Sequence, residues 1–174
     1  DPILPNILVY DKGAWVLHML RMYIGDDAFF TFFRDYAESP ALAMGSVTTP
    51  DMIAAAELAS GKNLAPFFEP WLSTDLAPAL QVRTDINKAD GGTGPGPYAR
   101  VEISQVQDPL FTMAVPVRLH TACGIVDETI IIENQQTVWH WTASCTIDSI
   151  SIDPEGLALF QLGAPPAAAL KVEG

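Results

Sequence analysis

The spacing of hydrophobic positions along this chain changes near residue 76. Upstream of it apolar residues cluster at helical intervals, and downstream they alternate. The upstream pattern predicts four helices. The first runs over residues 11–24 and stops at Gly25, a residue that readily takes the left-handed turn closing a helix. Asp26 or Asp27 caps a second helix reaching Ala37, ended by Ser39-Pro40. Residues 41–48 read as a loop. Thr49-Pro50-Asp51 then supplies N-cap, N1 proline and first-turn acid for a third helix to Ser60, which Gly61 closes. A short fourth helix covers residues 64–72.

These helices have little polar face. Phe29, Phe30, Phe32 and Phe33 spread beyond one narrow stripe, as do Phe67, Phe68, Trp71 and Leu72. A helix that is apolar on most sides must be covered on most sides. Four short helices cannot cover one another that completely, so the rest of this surface is expected to pack on the second half, a partner, or a further part of a longer protein.

From Leu80 the period is two. Leu80, Val82, Thr84 and Ile86 alternate with polar neighbours, which predicts a half-buried strand. Residues 91–97, rich in Gly and Pro, form a connection to a second strand over residues 98–106. Phe111, Met113, Val115, Val117 and Leu119 give the cleanest alternation, with Pro116 implying an edge position or a bulge. Residues 129–133 and 137–142 flank Asn134-Gln135-Gln136 as an expected hairpin. A final strand spans residues 146–152 and ends at Asp153-Pro154. The predicted fold class is α+β: an N-terminal helical segment (residues 1–75), a small antiparallel β-sandwich (76–162) and an Ala/Pro-rich tail or linker (163–174).

Composition narrows the function classes. Apolar residues make up 49% of 174, enough for a sizeable core. The 21 Asp and Glu against 9 Lys and Arg give a net charge of −12, leaving no basic surface for nucleic acid or for an anionic membrane. No apolar run approaches the roughly 18 residues of a membrane span, so a soluble chain is expected. Asp1-Pro2-Ile3-Leu4-Pro5 is neither an initiator Met nor a signal peptide, which suggests a piece of a longer chain with any targeting signal upstream. The compartment stays open, an exported or periplasmic one included.

Candidate chemistry is sparse. Residues 91–97 lack the Gly-Lys-Ser/Thr ending of a phosphate loop. His18, His120 and His140 have no second ligand at i+3 or i+4, so each reads as a surface or core residue, with His140 on the strand face opposite Trp139 and Trp141. Cys123 and Cys145 are too few for a zinc site. They read as two buried thiols, with a disulfide the alternative in an exported protein. No Gly-x-Ser-x-Gly elbow accompanies the serines. The carboxylate pairs Asp26-Asp27 and Asp127-Glu128 sit at element ends, where capping and solvation account for them.

One series of motifs is informative. Tyr10-Asp11-Lys12-Gly13-Ala14-Trp15-Val16-Leu17-His18-Met19-Leu20 resembles the Tyr-x-Lys-Gly segment of zinc aminopeptidases of the membrane alanyl aminopeptidase type, gluzincins that bind zinc through His-Glu-x-x-His and a later Glu. Gly25-Asp26-Asp27-Ala28-Phe29 is similar to that family's helix joint, and Thr48-Thr49-Pro50-Asp51-Met52 to the entry of its next helix. Ser60-Gly61-Lys62-Asn63-Leu64 followed by Phe67-Phe68-Glu69-Pro70-Trp71-Leu72 continues the match in order, over nearly all of residues 8–80. The family's Gly-x-Pro turn into a β-sandwich is here Leu76-Ala77-Pro78, without the glycine.

The resemblance implies a hydrolase, a metallopeptidase that removes N-terminal residues from peptides, with zinc as cofactor in the parent enzyme. It also implies that the zinc ligands, the general-base Glu and the Glu that binds the substrate amine all lie upstream. No His-Glu-x-x-His occurs in this sequence, so the fragment is expected to bind no zinc and to be inactive alone, its partner being the upstream catalytic domain of the same polypeptide. The one catalytic residue carried over is Tyr10, whose phenol would stabilise the oxyanion formed when zinc-bound water attacks the scissile carbonyl. On pattern alone Tyr10 is a core tyrosine preceding a helix. Asp11, Lys12 and Gly13 would shape the helix entry, with Gly13 allowing close backbone approach. The alternative from another class is a non-catalytic relative whose β-sandwich serves as a packing or interaction module.

Overall fold

The computed structural model describes residues 6–39, 48–87, 97–142 and 144–163, with only the backbone described at residues 6–11 and 87. The chain divides into two compact units after Asp75. The loop read over residues 41–48 falls almost wholly, and the connection over 91–97 and the tail over 163–174 fall all but wholly, outside the described residues.

The first unit is helical: α1 (Asn6–Ile24), α2 (Asp26–Glu38), α3 (Thr49–Ser60) and α4 (Ala65–Ser73). Helix α1 starts five residues ahead of the expected Asp11, because Ile7-Leu8-Val9 is a continuous apolar run with no helical period to read. Gly25 closes α1 through its N–H to the Arg21 carbonyl at 2.9 Å. It is also the N-cap of α2, with φ +86°, so Asp26 and Asp27 occupy the first turn and are not caps. Asp26 instead takes a two-pronged ion pair from Arg21, at 2.8 Å on each arm. The N-cap of α3 is Thr48, one residue ahead of the expected Thr49; its N–H and Oγ both donate to Asp51 Oδ2, at 2.9 and 2.6 Å. Gly61 ends α3 in the left-handed region at φ +67°.

Burial follows the apolar stripes only in part. Met19, Leu20, Phe32, Leu64, Phe67, Phe68 and Trp71 are almost fully enclosed, each worth about 1.5–3 kcal/mol against exposure. Phe30 and Phe33, on the same helix as Phe32, are 50% and 40% exposed. The Arg21 guanidinium lies over the Phe30 ring at 4.9 Å.

Among the described residues the second unit holds seven strands: β1 (Ala79–Asn87), β2 (Tyr98–Gln105), β3 (Met113–Thr121), β4 (Gly124–Ile132), β5 (Gln136–Thr142), β6 (Ile147–Ile152) and β7 (Gln161–Leu162). They form one sheet ordered β5-β2-β1-β7 and another ordered β4-β3-β6, antiparallel except where β7 pairs parallel to β1. Ala99 of the first sheet and Leu119 and Ile147 of the second meet in one core, flanked by Ile86, Val126, Trp139 and Trp141, so the two sheets face each other. The α+β reading is correct.

Three strand-level expectations change. Asn134-Gln135-Gln136 is no hairpin: β4 pairs with β3 and β5 pairs with β2, so the chain crosses there from one sheet to the other. The true hairpin joins β3 to β4 through Ala122-Cys123, with Gly124 at φ +127°. Pro116 lies in a central strand, yet the β6 ladder begins only at Val117, so its missing N–H costs no bond there. Its carbonyl accepts the Asp153 N–H at 2.8 Å.

Gln105 organises the crossover end of the sandwich. It is 1% exposed, and its side-chain amide makes four hydrogen bonds. Nε2 donates to the Phe111 and Asn134 carbonyls, at 2.9 and 3.1 Å. Oε1 accepts from the Phe111 N–H and from Gln107 Nε2, both at 2.8 Å. Gln107 Oε1 in turn accepts the Ala79 N–H at 2.9 Å. At the opposite end Cys123 and Cys145 are joined in a disulfide with Cα atoms 6.1 Å apart. Cys123 is exposed, which corrects the reading of two buried thiols.

Candidate functional site

The motif residues of the helical unit are gathered around α1. Tyr10 sits inside this helix, not ahead of it, as do residues 11–13, so they do not form the helix entry. Gly13 admits no close backbone approach: a Cβ built there meets nothing within 4 Å among the described residues.

Lys12 has a clear role. Its Nζ donates to the Thr74 carbonyl at 2.6 Å, partly buried and 62 residues away in sequence. Thr74 is the C-cap of α4, so a cation lies where the carbonyl end of the helix dipole favours one. The Thr74 hydroxyl donates to the Pro70 carbonyl at 3.2 Å.

A second lysine acts at the other end of α1. Lys62 Nζ donates to the Tyr23 carbonyl at 3.1 Å and lies 4.1 Å from the centre of the Tyr23 ring. That ring stacks on Phe67 at 5.8 Å, nearly parallel. Glu57 Oε1 accepts the Leu64 N–H at 2.8 Å, fixing the turn between α3 and α4. The Gly-Lys-Asn-Leu and Phe-Phe motifs thus hold the C-terminal half of α1, while the Tyr-x-Lys-Gly motif fastens its N-terminal half to the end of α4.

Between these helices lies an open, mostly apolar cleft of about 490 Å³, lined by Lys12, Val16, Met52, Phe68, Trp71 and Leu72 among others. Among the described residues its lining carries one cation and is otherwise mostly apolar, so what they offer is packing surface.

No metal centre is assembled here. Among the described residues no three His, Cys, Asp or Glu side chains converge. His18 packs edge-on against Trp15 at 5.9 Å, while His120 lies on β3 and His140 on β5. Both cysteines are consumed by the disulfide.

The perturbed carboxyls are structural. Hydrogen bonds from Thr48 hold the Asp51 carboxyl below the usual range, and the Arg21 guanidinium does the same for Asp26. In the β unit Arg118 joins Asp127 at 2.6 Å and Glu155 at 2.8 Å, which lowers the Asp127 carboxyl. Arg100, then Gln136, lower Glu102. Each lies at a cap or on a strand surface.

Comparison with known proteins gives these motifs a context. The model of the peptidase family M1 domain matches residues 4–71. Aminopeptidase N of Streptomyces lividans is 36% identical over 91 residues, spanning 49% of this chain and 10% of that protein. Aminopeptidase N of Lactococcus lactis subsp. lactis is 33% identical over 80 residues, 46% of this chain and 9% of that protein. The chain thus spans about a tenth of the length of these curated relatives. The crystal structure of Legionella pneumophila aminopeptidase A in complex with aspartic acid shares the fold, with a TM-score of 0.74 and 18% identity over 92% of this chain and 18% of that one. The family match begins ahead of Tyr10 and ends on Trp71, over nearly the same stretch as the motif series read from the sequence, so this part of the chain is similar to the peptidase family M1 domain.

Proposed function

We propose that this chain is the part of a zinc-dependent aminopeptidase that follows the metal-binding segment, joining the end of the catalytic helical domain to a β-sandwich. The observation that carries this reading is the match of residues 4–71 to the family M1 domain, with the Tyr-x-Lys-Gly motif on α1. The names of the two similar curated proteins support removal of N-terminal residues from peptides as the activity of the whole protein.

In this reading zinc is held by residues upstream of the chain, and the chain contributes a hydrogen-bond donor. Tyr10 offers the donor: its phenol O–H donates to the oxyanion developing on the scissile carbonyl. The exposed rings of Phe30 and Phe33 and the apolar cleft beside Lys12 are surfaces on which the upstream catalytic domain packs. By itself the chain turns over no substrate.

The test uses the full-length protein and the isolated chain side by side on an alanine or leucine anilide, with metal content measured for each. Tyr10→Phe in the full-length protein is expected to lower kcat about 10²–10³-fold, and the isolated chain to show neither stoichiometric zinc nor turnover. Turnover by the isolated chain with bound zinc would overturn the fragment reading. A Tyr10→Phe protein retaining kcat within about threefold would remove the oxyanion role.

A further inference from the structure

We propose that Lys12 is a positioning residue for Tyr10, acting through the Thr74 carbonyl; this rests on the oxyanion role given above to Tyr10. Helix α1 is held at two separated places. Near its C-terminal end Lys62 reaches the Tyr23 carbonyl at 3.1 Å and the Tyr23 ring stacks on Phe67. Near its N-terminal end Lys12 donates to Thr74, the C-cap of α4, at 2.6 Å. Eleven residues of α-helix separate Lys12 from Tyr23, a lever of about 16 Å.

Position 10 lies beyond the outer of these fastenings, about 3 Å further along the axis and about 200° around the helix from position 12. With the Lys12 tether removed, the N-terminal turns pivot about the Tyr23 end, and a small tilt is multiplied at position 10. An oxyanion donor must sit 2.7–3.1 Å from its target, and a displacement of about 1 Å can cost on the order of a hundredfold in rate.

The bond suits a positioning task. The ammonium is partly buried, charge-assisted, and placed at the negative end of the α4 dipole, so it is shorter and stronger than an exposed pair. Among the described residues that line the cleft none is a carboxylate that would compete for it, and the wall includes Val16, Phe68, Trp71 and Leu72.

The experiment is a double-mutant cycle in the full-length enzyme, with Lys12→Met, Tyr10→Phe and the double variant, titrated for folded protein. Lys12→Met is expected to lower kcat about 10–100-fold and leave KM within about twofold, while in the Tyr10→Phe background it costs less than about twofold. A Lys12→Met loss that persists in full without the phenol marks a general structural role and overturns the proposal. So does an unchanged kcat in Lys12→Met beside an impaired Tyr10→Phe. Full turnover by Tyr10→Phe instead removes the oxyanion reading, and this proposal with it. Amide hydrogen exchange on the 174-residue chain gives a readout independent of activity. Lys12→Met should speed exchange at residues 10–14 about tenfold and leave residues 19–24 unchanged, and equal protection in both segments contradicts the lever. Should Lys12→Met not fold, Lys12→Arg keeps a donor at an altered reach, and the same dependence on Tyr10 decides the outcome.

Discussion

Reducing the Cys123–Cys145 bond should weaken the β unit by an amount that its connectivity sets. The bond ties the β3–β4 hairpin to the segment between β5 and β6 and closes a loop of 22 residues that contains all of β4 and β5, one strand from each sheet. Cross-linking a loop of this length removes unfolded-state entropy worth about 3 kcal/mol at 25 °C. That is a large share of the 5–15 kcal/mol by which ordinary domains are stable, and in a unit of about 100 residues it corresponds to a Tm shift of roughly 10–20 °C. Leu119, Ile147 and Trp141 of the shared core lie within four residues of the two cysteines, so the end released on reduction is the end where the sheets meet. The assay is scanning calorimetry of the 174-residue chain with and without a phosphine reductant, beside the Cys123→Ser/Cys145→Ser variant. The transition of the β unit should fall by the stated interval in both, while that of the helical unit stays in place. A fall of less than about 4 °C, or an equal fall in the helical transition, would refute the loop-entropy argument.

Two further outcomes are expected. Gln105→Leu removes four buried hydrogen bonds and should destabilise the β unit by about 3–5 kcal/mol in a urea titration; a loss below about 1 kcal/mol would mean that the crossover does not depend on this amide. The folded-state pKa values of Asp127 and Glu102 are depressed by Arg118 and Arg100, so their contribution is fully present above the ordinary carboxyl range near pH 4 and is lost as pH falls through the lower folded values. The Tm of the β unit should accordingly be flat above about pH 5 and fall below pH 4, with a shallower fall in Arg118→Met; equal slopes would argue against the ion pairs as the cause.

How much was legible in the sequence depended on whether the signal was local. Helix ends marked by glycine were readable because the residue itself supplies the backbone geometry: Gly25 and Gly61 both adopt positive φ where expected. The start of α1 was not, since Ile7, Leu8 and Val9 offer no period. Most strand positions followed the alternation, although β4 begins at Gly124, five residues ahead of the expected 129, and β7 was not foreseen; pairing did not follow it. The crossover at Asn134 was mistaken for a hairpin because turn residues report a change of direction, not the sheet to which the next strand belongs. The Ala122-Cys123 hairpin was missed because its two turn residues carry no turn signature, and only the Gly124 that follows does. At the candidate site the motif series pointed to Tyr10, whereas the Lys12–Thr74 bond spans 62 residues and belongs to tertiary structure alone.

The amide of Gln105 has a consequence for how this sandwich can diverge. Asparagine, one methylene shorter, cannot reach both Phe111 and Asn134. An ionised glutamate offers only acceptors and would face two carbonyls, and an aliphatic side chain offers nothing. The position therefore has a vocabulary of one residue, and its neighbour Gln107 is bound into the same sentence by donating its Nε2–H to Gln105 Oε1. Two of the places where the chain passes between sheets, before β3 and before β5, are written in a shared script. In related sequences they should change together: a substitution at 105 accompanied by rebuilt segments at both crossovers, or none of the three.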